Sequence, residues 1–235
     1  MKTLTLFSAF FMSAQILAST PASIKLAVDH IYSPKGFHDH EETEVILSGH
    51  LPNLCHKSPK TEVSVKGREI HIEVSALHYE PTNPFCASVL VPFVETVQVG
   101  VLDKGRYEII VNPKSRLMKK SEIFIEEQSS DAMAETVYAN IYHIEKNNTG
   151  ESVVLKGYNP SDCFVLDSID YQHNGKDTYS IYPKMKQISN FCPRKMIPFS
   201  YEYKVPKELD FPRVLLHVKA MDGRSINTLY TNEIK

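Results

Sequence analysis

Gly49-His50-Leu51-Pro52-Asn53-Leu54-Cys55 (GHLPNLC) returns 108 residues later as Gly157-Tyr158-Asn159-Pro160-Ser161-Asp162-Cys163 (GYNPSDC), both G-x-x-P-x-x-C after an apolar stretch. Further along, Phe85-Cys86 followed by Val91-Pro92-Phe93 returns as Phe191-Cys192 followed by Ile197-Pro198-Phe199, at an offset of 106. Two blocks repeating in the same order at nearly the same spacing mean two equal modules in tandem.

Around these blocks almost every periodic segment has a period of two. Val45 and Leu47 alternate before Gly49, and Val63 and Val65 follow the first cysteine. Ile70, Ile72 and Val74 come after a tight Lys66-Gly67 connection, then Val97, Val99 and Val101, then Tyr107, Ile109 and Val111. Ile123 and Ile125 close the module and Ile24 to Val28 open it. The second half repeats the plan: Val153 and Leu155, Phe164 to Tyr171, Tyr179 to Tyr182, Tyr203 to Val205, Val214-Leu216-Val218 and Ile226 to Leu229. His173-Asn174-Gly175 between two of these runs predicts a tight type I′ hairpin, since Asn and Gly tolerate positive φ. Short alternating strands separated by Gly, Pro and Asn specify an all-β chain. The expected fold is two tandem immunoglobulin-like antiparallel β-sandwich modules, each with one disulfide. The predicted boundaries are a signal peptide at 1–22, a first module at 23–127, a polar linker at 128–135 and a second module at 136–235.

The N-terminus carries the marks of an export signal. Lys2 supplies the positive charge, Leu4 to Leu17 form an apolar run, and Ala18, Ser19 and Ala22 offer small residues for cleavage. The run is short for a bilayer span, and no second one follows, so no stable membrane span is expected after cleavage. The expected location is periplasmic or secreted. Four cysteines permit three pairings, and the repeat selects among them, because each module has one early and one late Cys. The expected bridges are therefore Cys55–Cys86 and Cys163–Cys192, which persist in an oxidising compartment. The absence of Trp separates these modules from antibody-type domains, and the cysteines lie in loops beyond strand ends. Each bridge is expected to pin two loops at one end of its sandwich.

The formal charge of −2, from 26 basic and 28 acidic residues, gives no electrostatic reason to expect nucleic acid as a partner. The same balance offers none for an anionic membrane.

At Gly49, Leu51, Pro52, Cys55, Cys86, Leu90, Val91, Pro92 and Phe93, and again at Val97, Val99, Leu102, Gly105, Tyr107 and Asn112, the first module resembles a small disulfide-bonded β-domain of bacterial secreted proteins and lipoproteins. The second module departs from that pattern, with Asn159 for Leu before the proline, Met196-Ile197 for Leu-Val, and Pro212 where Gly105 would stand. The resemblance implies export, a β-sandwich and disulfides, and it carries over no catalytic residue.

One cluster invites chemistry. In His38-Asp39-His40-Glu41-Glu42, an extended backbone turns His38, His40 and Glu42 to one side, as ligands for Zn²⁺ or a similar ion. A metal site also needs a further ligand and partners that orient the imidazoles. The nucleophile-elbow, zinc-protease and P-loop signatures are absent from the sequence. Nine of the twelve tyrosines fall in the second module, a residue type suited to protein or glycan contact. The expected function is an exported, non-enzymatic binding or structural protein without a cofactor. It would recognise an envelope or extracellular protein or glycan through sandwich loops or strand edges. The alternatives are a metal-binding protein or metal-dependent enzyme using the His38–Glu42 loop, and a plain spacer.

Overall fold

The computed structural model describes residues 20–79, 85–128, 137–147, 151–209 and 211–231. The expected signal peptide lies almost wholly outside these residues, as does all of the 128–135 linker but Gln128. The first half forms β1 (Ala22–Lys25), β2 (Val28–Tyr32), β3 (Phe37–His38), β4 (Glu42–Leu51), β5 (His56–Lys66), β6 (Glu69–His78), β7 (Val91–Val101), β8 (Gly105–Val111) and β9 (Lys119–Glu126). The second forms β10 (Ile141–Lys146), β11 (Ser152–Asn159), β12 (Phe164–His173), β13 (Thr178–Gln187), β14 (Ile197–Lys204), β15 (Arg213–Lys219) and β16 (Ser225–Thr231). The chain is all-β, and its strands make two sandwiches.

Each sandwich pairs a larger with a smaller sheet. In the first, β1-β6-β8-β9-β3, with β5 on β6, faces β2-β4-β7; in the second, β12-β13-β15-β16 faces β10-β11-β14. The topology repeats strand for strand from β4 onward: β4 pairs β7 and β11 pairs β14 in the small sheets, while β5–β6 and β12–β13 are hairpins of the large ones. Most pairs are antiparallel, but β6–β8, β13–β15 and the short β3–β9 are parallel. The chain leaves the large sheet after the hairpin, runs through the small one and returns, so it re-enters in the original direction. The opening run expected from Ile24 to Val28 is two strands, β1 on the large sheet and β2 on the small one, so the chain changes sheets between them.

Alternation fills the cores. Val45, Leu47, Ile70, Ile72, Ile109 and Ile125 pack in the first, and Ile141, Val153, Leu155, Tyr179, Ile181 and Leu216 in the second, all essentially sealed from water. Each such side chain contributes about 2 kcal/mol on burial. The left-handed, buried Asn112 closes the end of β8: its side-chain amide donates to Leu26 O at 2.8 Å and its Oδ1 accepts from Val74 N–H at 3.0 Å. This side chain saturates backbone groups that no ladder reaches.

The turn after β12 differs from the expected two-residue hairpin. Asn174 N–H reaches Thr178 O, and Asn174 Oδ1 accepts the N–H groups of Lys176, Asp177 and Thr178. Asn174 thus acts through its side chain, which caps a wider turn. Only Gly175 within the turn takes positive φ.

Alternation fails at three strands, and there the modules meet. Residues Thr43 to Gly49 in β4, Thr178 to Pro183 in β13 and Val214 to Lys219 in β15 are buried on both faces. One face of each fills its own sandwich. The other brings Tyr32 and Ile46 of the first module against Leu215 and Leu229 of the second. Strands buried on both sides read as continuous runs instead of alternating ones.

Candidate binding surface

The disulfides hold the loops that expose the most apolar surface. Cys55, in the β4–β5 connection, is bonded to Cys86 in the β6–β7 connection, and Cys163 to Cys192 in the equivalent loops of the second module. Backbone hydrogen bonds tie the same loops: Leu54 N–H to Ala87 O and Tyr79 N–H to Cys55 O in one module, Ile188 N–H to Cys163 O and Lys195 N–H to Pro160 O in the other. Outward from these pinned loops stand Phe85 (87% exposed) and Leu90 (66%) in the first, and Phe191 (81%), Met196 (67%) and Ile188 (60%) in the second. They exceed every other large hydrophobic side chain among the described residues. Scattered exposed apolar residues are ordinary; a group repeated at one structural position on braced backbone is not.

The second assembly of functional-type side chains lies between the modules. Glu44 on β4 is 5% exposed and accepts hydrogen bonds from Asn227 Nδ2 at 2.9 Å, Gln98 Nε2 at 2.9 Å and Ser225 Oγ. His217 Nδ1 lies 3.1 Å from the same carboxylate and 2.9 Å from Asn227 Oδ1. Asn227 turns its NH₂ to Glu44, so its oxygen faces His217, and Nδ1 must carry the proton. Burial pushes the Glu44 carboxyl up, but hydrogen bonding and the His217 imidazole outweigh it and hold the group at about 2. Asp177 follows the same logic: burial raises it, while His30, Asn174 and Thr178 bring it below the ordinary range. Its contact with His30 again joins the two modules.

The loop singled out in the sequence as a metal candidate belongs to this junction. His38 ends β3, pairing beside β9 opposite Glu126, and its Nδ1 is buried with no hydrogen-bond partner among the described residues. His40 is exposed beside Asp39, and Glu42 opens β4 with its side chain in solvent. Glu41, between them, makes an ion pair with Lys219 of β15. Lys219 also donates to Gly36 O at 2.7 Å and lies over the rings of Phe37 and Tyr182. Among the described residues no group of three or more His, Cys, Asp or Glu is placed to hold a metal ion. His38, His40 and Glu42 thus sit in different surroundings, and the neighbouring Glu41 pairs with Lys219 of the second module.

Sequence reasoning missed Glu44, His217 and Lys219. Their signal was present in E-T-E-V-I-L-S (Glu42 to Ser48) and V-L-L-H-V-K (Val214 to Lys219), where apolar Ile46 and Leu215 occupy positions that a solvated face would fill with polar residues. Of the nine tyrosines counted as a candidate contact set, Tyr179, Tyr182, Tyr203 and Tyr230 are buried, Tyr138, Tyr158 and Tyr201 are half-buried, and Tyr142 and Tyr171 are exposed.

Among the described residues no helix is long and apolar enough to cross a membrane. A family model, the ORF11 beta-sandwich domain, matches residues 45–118, from β4 to just before β9, and includes the Cys55–Cys86 bridge. No curated protein and no solved structure matches the chain. The first sandwich is thus similar to the ORF11 beta-sandwich domain over those residues.

Proposed function

We propose that the chain is an exported, non-enzymatic binding protein whose contact surfaces are the disulfide-pinned loops of its two sandwiches. The observation that carries this is the exposure of Phe85 and Leu90, and of Phe191 and Met196, at equivalent places in both modules, with Ile188 added in the second. Displaying a phenyl ring to water is unfavourable by about 2 kcal/mol relative to burying it, so a partner that covers it gains that amount. Braced loops lose little conformational entropy on binding, which preserves the gain. The two disulfides suit an extracellular or periplasmic setting, where such bonds persist.

The test is a crosslinking capture from envelope extract with wild type, Phe85→Asp and Phe191→Asp. Capture lost in either variant, with both disulfides intact by unreduced peptide mapping, supports the loops as the contact surface. Capture unchanged by both substitutions overturns it.

A further inference from the structure

The two pinned loops share their apolar character but differ in charge. Between Met185 and Ile197 the second-module loop holds Lys186, Arg194 and Lys195 and no acidic residue, whereas the equivalent Tyr79 to Val91 of the first module holds no basic residue and one acidic residue, Glu80. Lys195 makes only a long contact with Asp162, at 3.7 Å and largely in solvent. Lys186 and Arg194 have no ion-pair partner among the described residues. Cations therefore flank Ile188 and Phe191 on both sides, and Met196 follows directly on Lys195.

We propose that this loop, at Ile188–Met196, binds the surface of an anionic lipid bilayer, with Phe191, Ile188 and Met196 entering the headgroup boundary and Lys186 and Arg194 meeting lipid phosphates. The inference rests on the proposal that the disulfide loops are binding surfaces, and it names the partner class for the second one. Two observations favour lipid over an acidic protein face. Phe191 is four-fifths exposed, so its ring projects from the loop; a protein partner must supply a fitted pocket, while a bilayer accepts a projecting ring without one. Charge and apolarity also interleave within a dozen residues, as in segments that lie at the membrane interface, with no apolar core inside a polar rim. The cations add long-range attraction to an anionic leaflet that falls off within a Debye length. The balanced charge of the whole chain hides this local excess.

The Cys163–Cys192 bridge and the bonds from Ile188 N–H and Lys195 N–H hold both limbs of the loop to the β11–β12 corner. The side chains are therefore presented without an ordering step. This is an interfacial contact on the bilayer surface, and no strand or helix enters the hydrocarbon core.

The experiment is cosedimentation of the purified protein with vesicles of phosphatidylcholine, and of phosphatidylcholine with equimolar phosphatidylglycerol. Wild type is expected to sediment with the phosphatidylglycerol vesicles, to bind phosphatidylcholine alone far less, and to be released by added salt. Phe191→Asp and Arg194→Glu each lower partitioning roughly tenfold or more, from the lost apolar burial or the reversed charge. Phe124→Asp, at an exposed phenylalanine of β9 outside the pinned loops, leaves it unchanged. Circular dichroism and the unreduced peptide map verify that each variant keeps its fold and bridges.

Wild type that ignores both vesicles, or Phe191→Asp that binds like wild type, overturns the proposal, as does equal loss in Phe124→Asp. Capture of a protein that depends on Phe191, without vesicle binding, overturns the lipid assignment and leaves the binding reading standing. Failure of both vesicle binding and loop-dependent capture removes both.

Discussion

Gly157 and Phe199 are register partners across β11 and β14, and the phenyl ring fills the space a glycine side chain leaves open. A Cβ on Gly157 would stand 2.4 Å from that ring and 2.1 Å from Asn140 O. Gly49 and Phe93 repeat the arrangement across β4 and β7, with a Cβ 2.7 Å from the ring and 2.8 Å from Ala27 O. The glycine of the first repeated block and the aromatic of the second are thus one contact. An aromatic ring lying over a strand glycine pins the register of the pair, so the two blocks must recur together.

Gly157→Ala is therefore expected to cost about 3 kcal/mol, because the obstructing Asn140 O is backbone and cannot rotate away. Gly49→Ala should cost less, its contacts being longer. Urea denaturation of both variants checks the order. A Gly157→Ala protein as stable as wild type would remove steric necessity as the reason for this glycine.

The junction carboxylate makes stability depend on acid. Glu44 titrates at about 2 in the fold against an ordinary 4.5, so its contribution is complete above about pH 4.5 and fades as pH falls toward 2. The shift corresponds to roughly 3 kcal/mol. Asp177, also held below the carboxylate range, acts in the same direction. Glu44→Gln should be clearly less stable than wild type at pH 7 and close to it near pH 2. Denaturation midpoints across that range test this, and a gap between the two proteins that does not change with pH would contradict it.

Replacing Cys163 and Cys192 together by serine should destabilise the protein by roughly 3 to 4 kcal/mol, the chain-entropy value for a closed loop of this size. The same change should release the Ile188–Met196 loop from the β11–β12 corner, leaving the Cys55–Cys86 module bridged. Hydrogen exchange of the amides of Ile188 and Lys195 reads the second effect. Unchanged protection there would mean that the backbone hydrogen bonds alone hold the loop.

The sandwich architecture was legible because its determinants are local. Period-two runs such as Ile70-Ile72-Val74, the Gly and Pro breaks between them and the duplicated cysteines need no knowledge of distant contacts. The junction was not legible in that way. Glu44 and Asn227 touch from 183 residues apart, and no local pattern joins them. What the sequence does carry is a disturbance: Ile46, Leu215 and Tyr182 put apolar bulk where alternation calls for polarity, which marks a second buried face without naming its partner. The Asn174 turn misled for a related reason. Asn-Gly favours a tight hairpin locally, yet Asn174 Nδ2 reaches Ser33 O across the junction, and that tertiary contact accompanies the wider turn. The exposed loop phenylalanines were present in the repeat itself, but only the structure places them outside the cores.

Gly36 offers the most direct test of how the modules are joined. It takes φ of +77°, and a Cβ there would lie 1.9 Å from the Tyr182 hydroxyl, which donates to Lys35 O at 2.8 Å. Lys219 meanwhile donates to Gly36 O. Gly36→Ala therefore strikes the junction twice, through a backbone conformation that alanine adopts poorly and through collision with a buried ring. Each sandwich has its own core, and among the described residues Phe37, beside Gly36, is one of nineteen buried in the core of the first. The expected result is a larger radius of gyration by small-angle scattering with the β signal of circular dichroism retained. Adding Tyr182→Ala to Gly36→Ala should produce less than the sum of the two single losses in stability, because the same collision is removed once. Strict additivity, or a scattering curve identical to wild type, would show that the Gly36–Tyr182 contact does not hold the modules together.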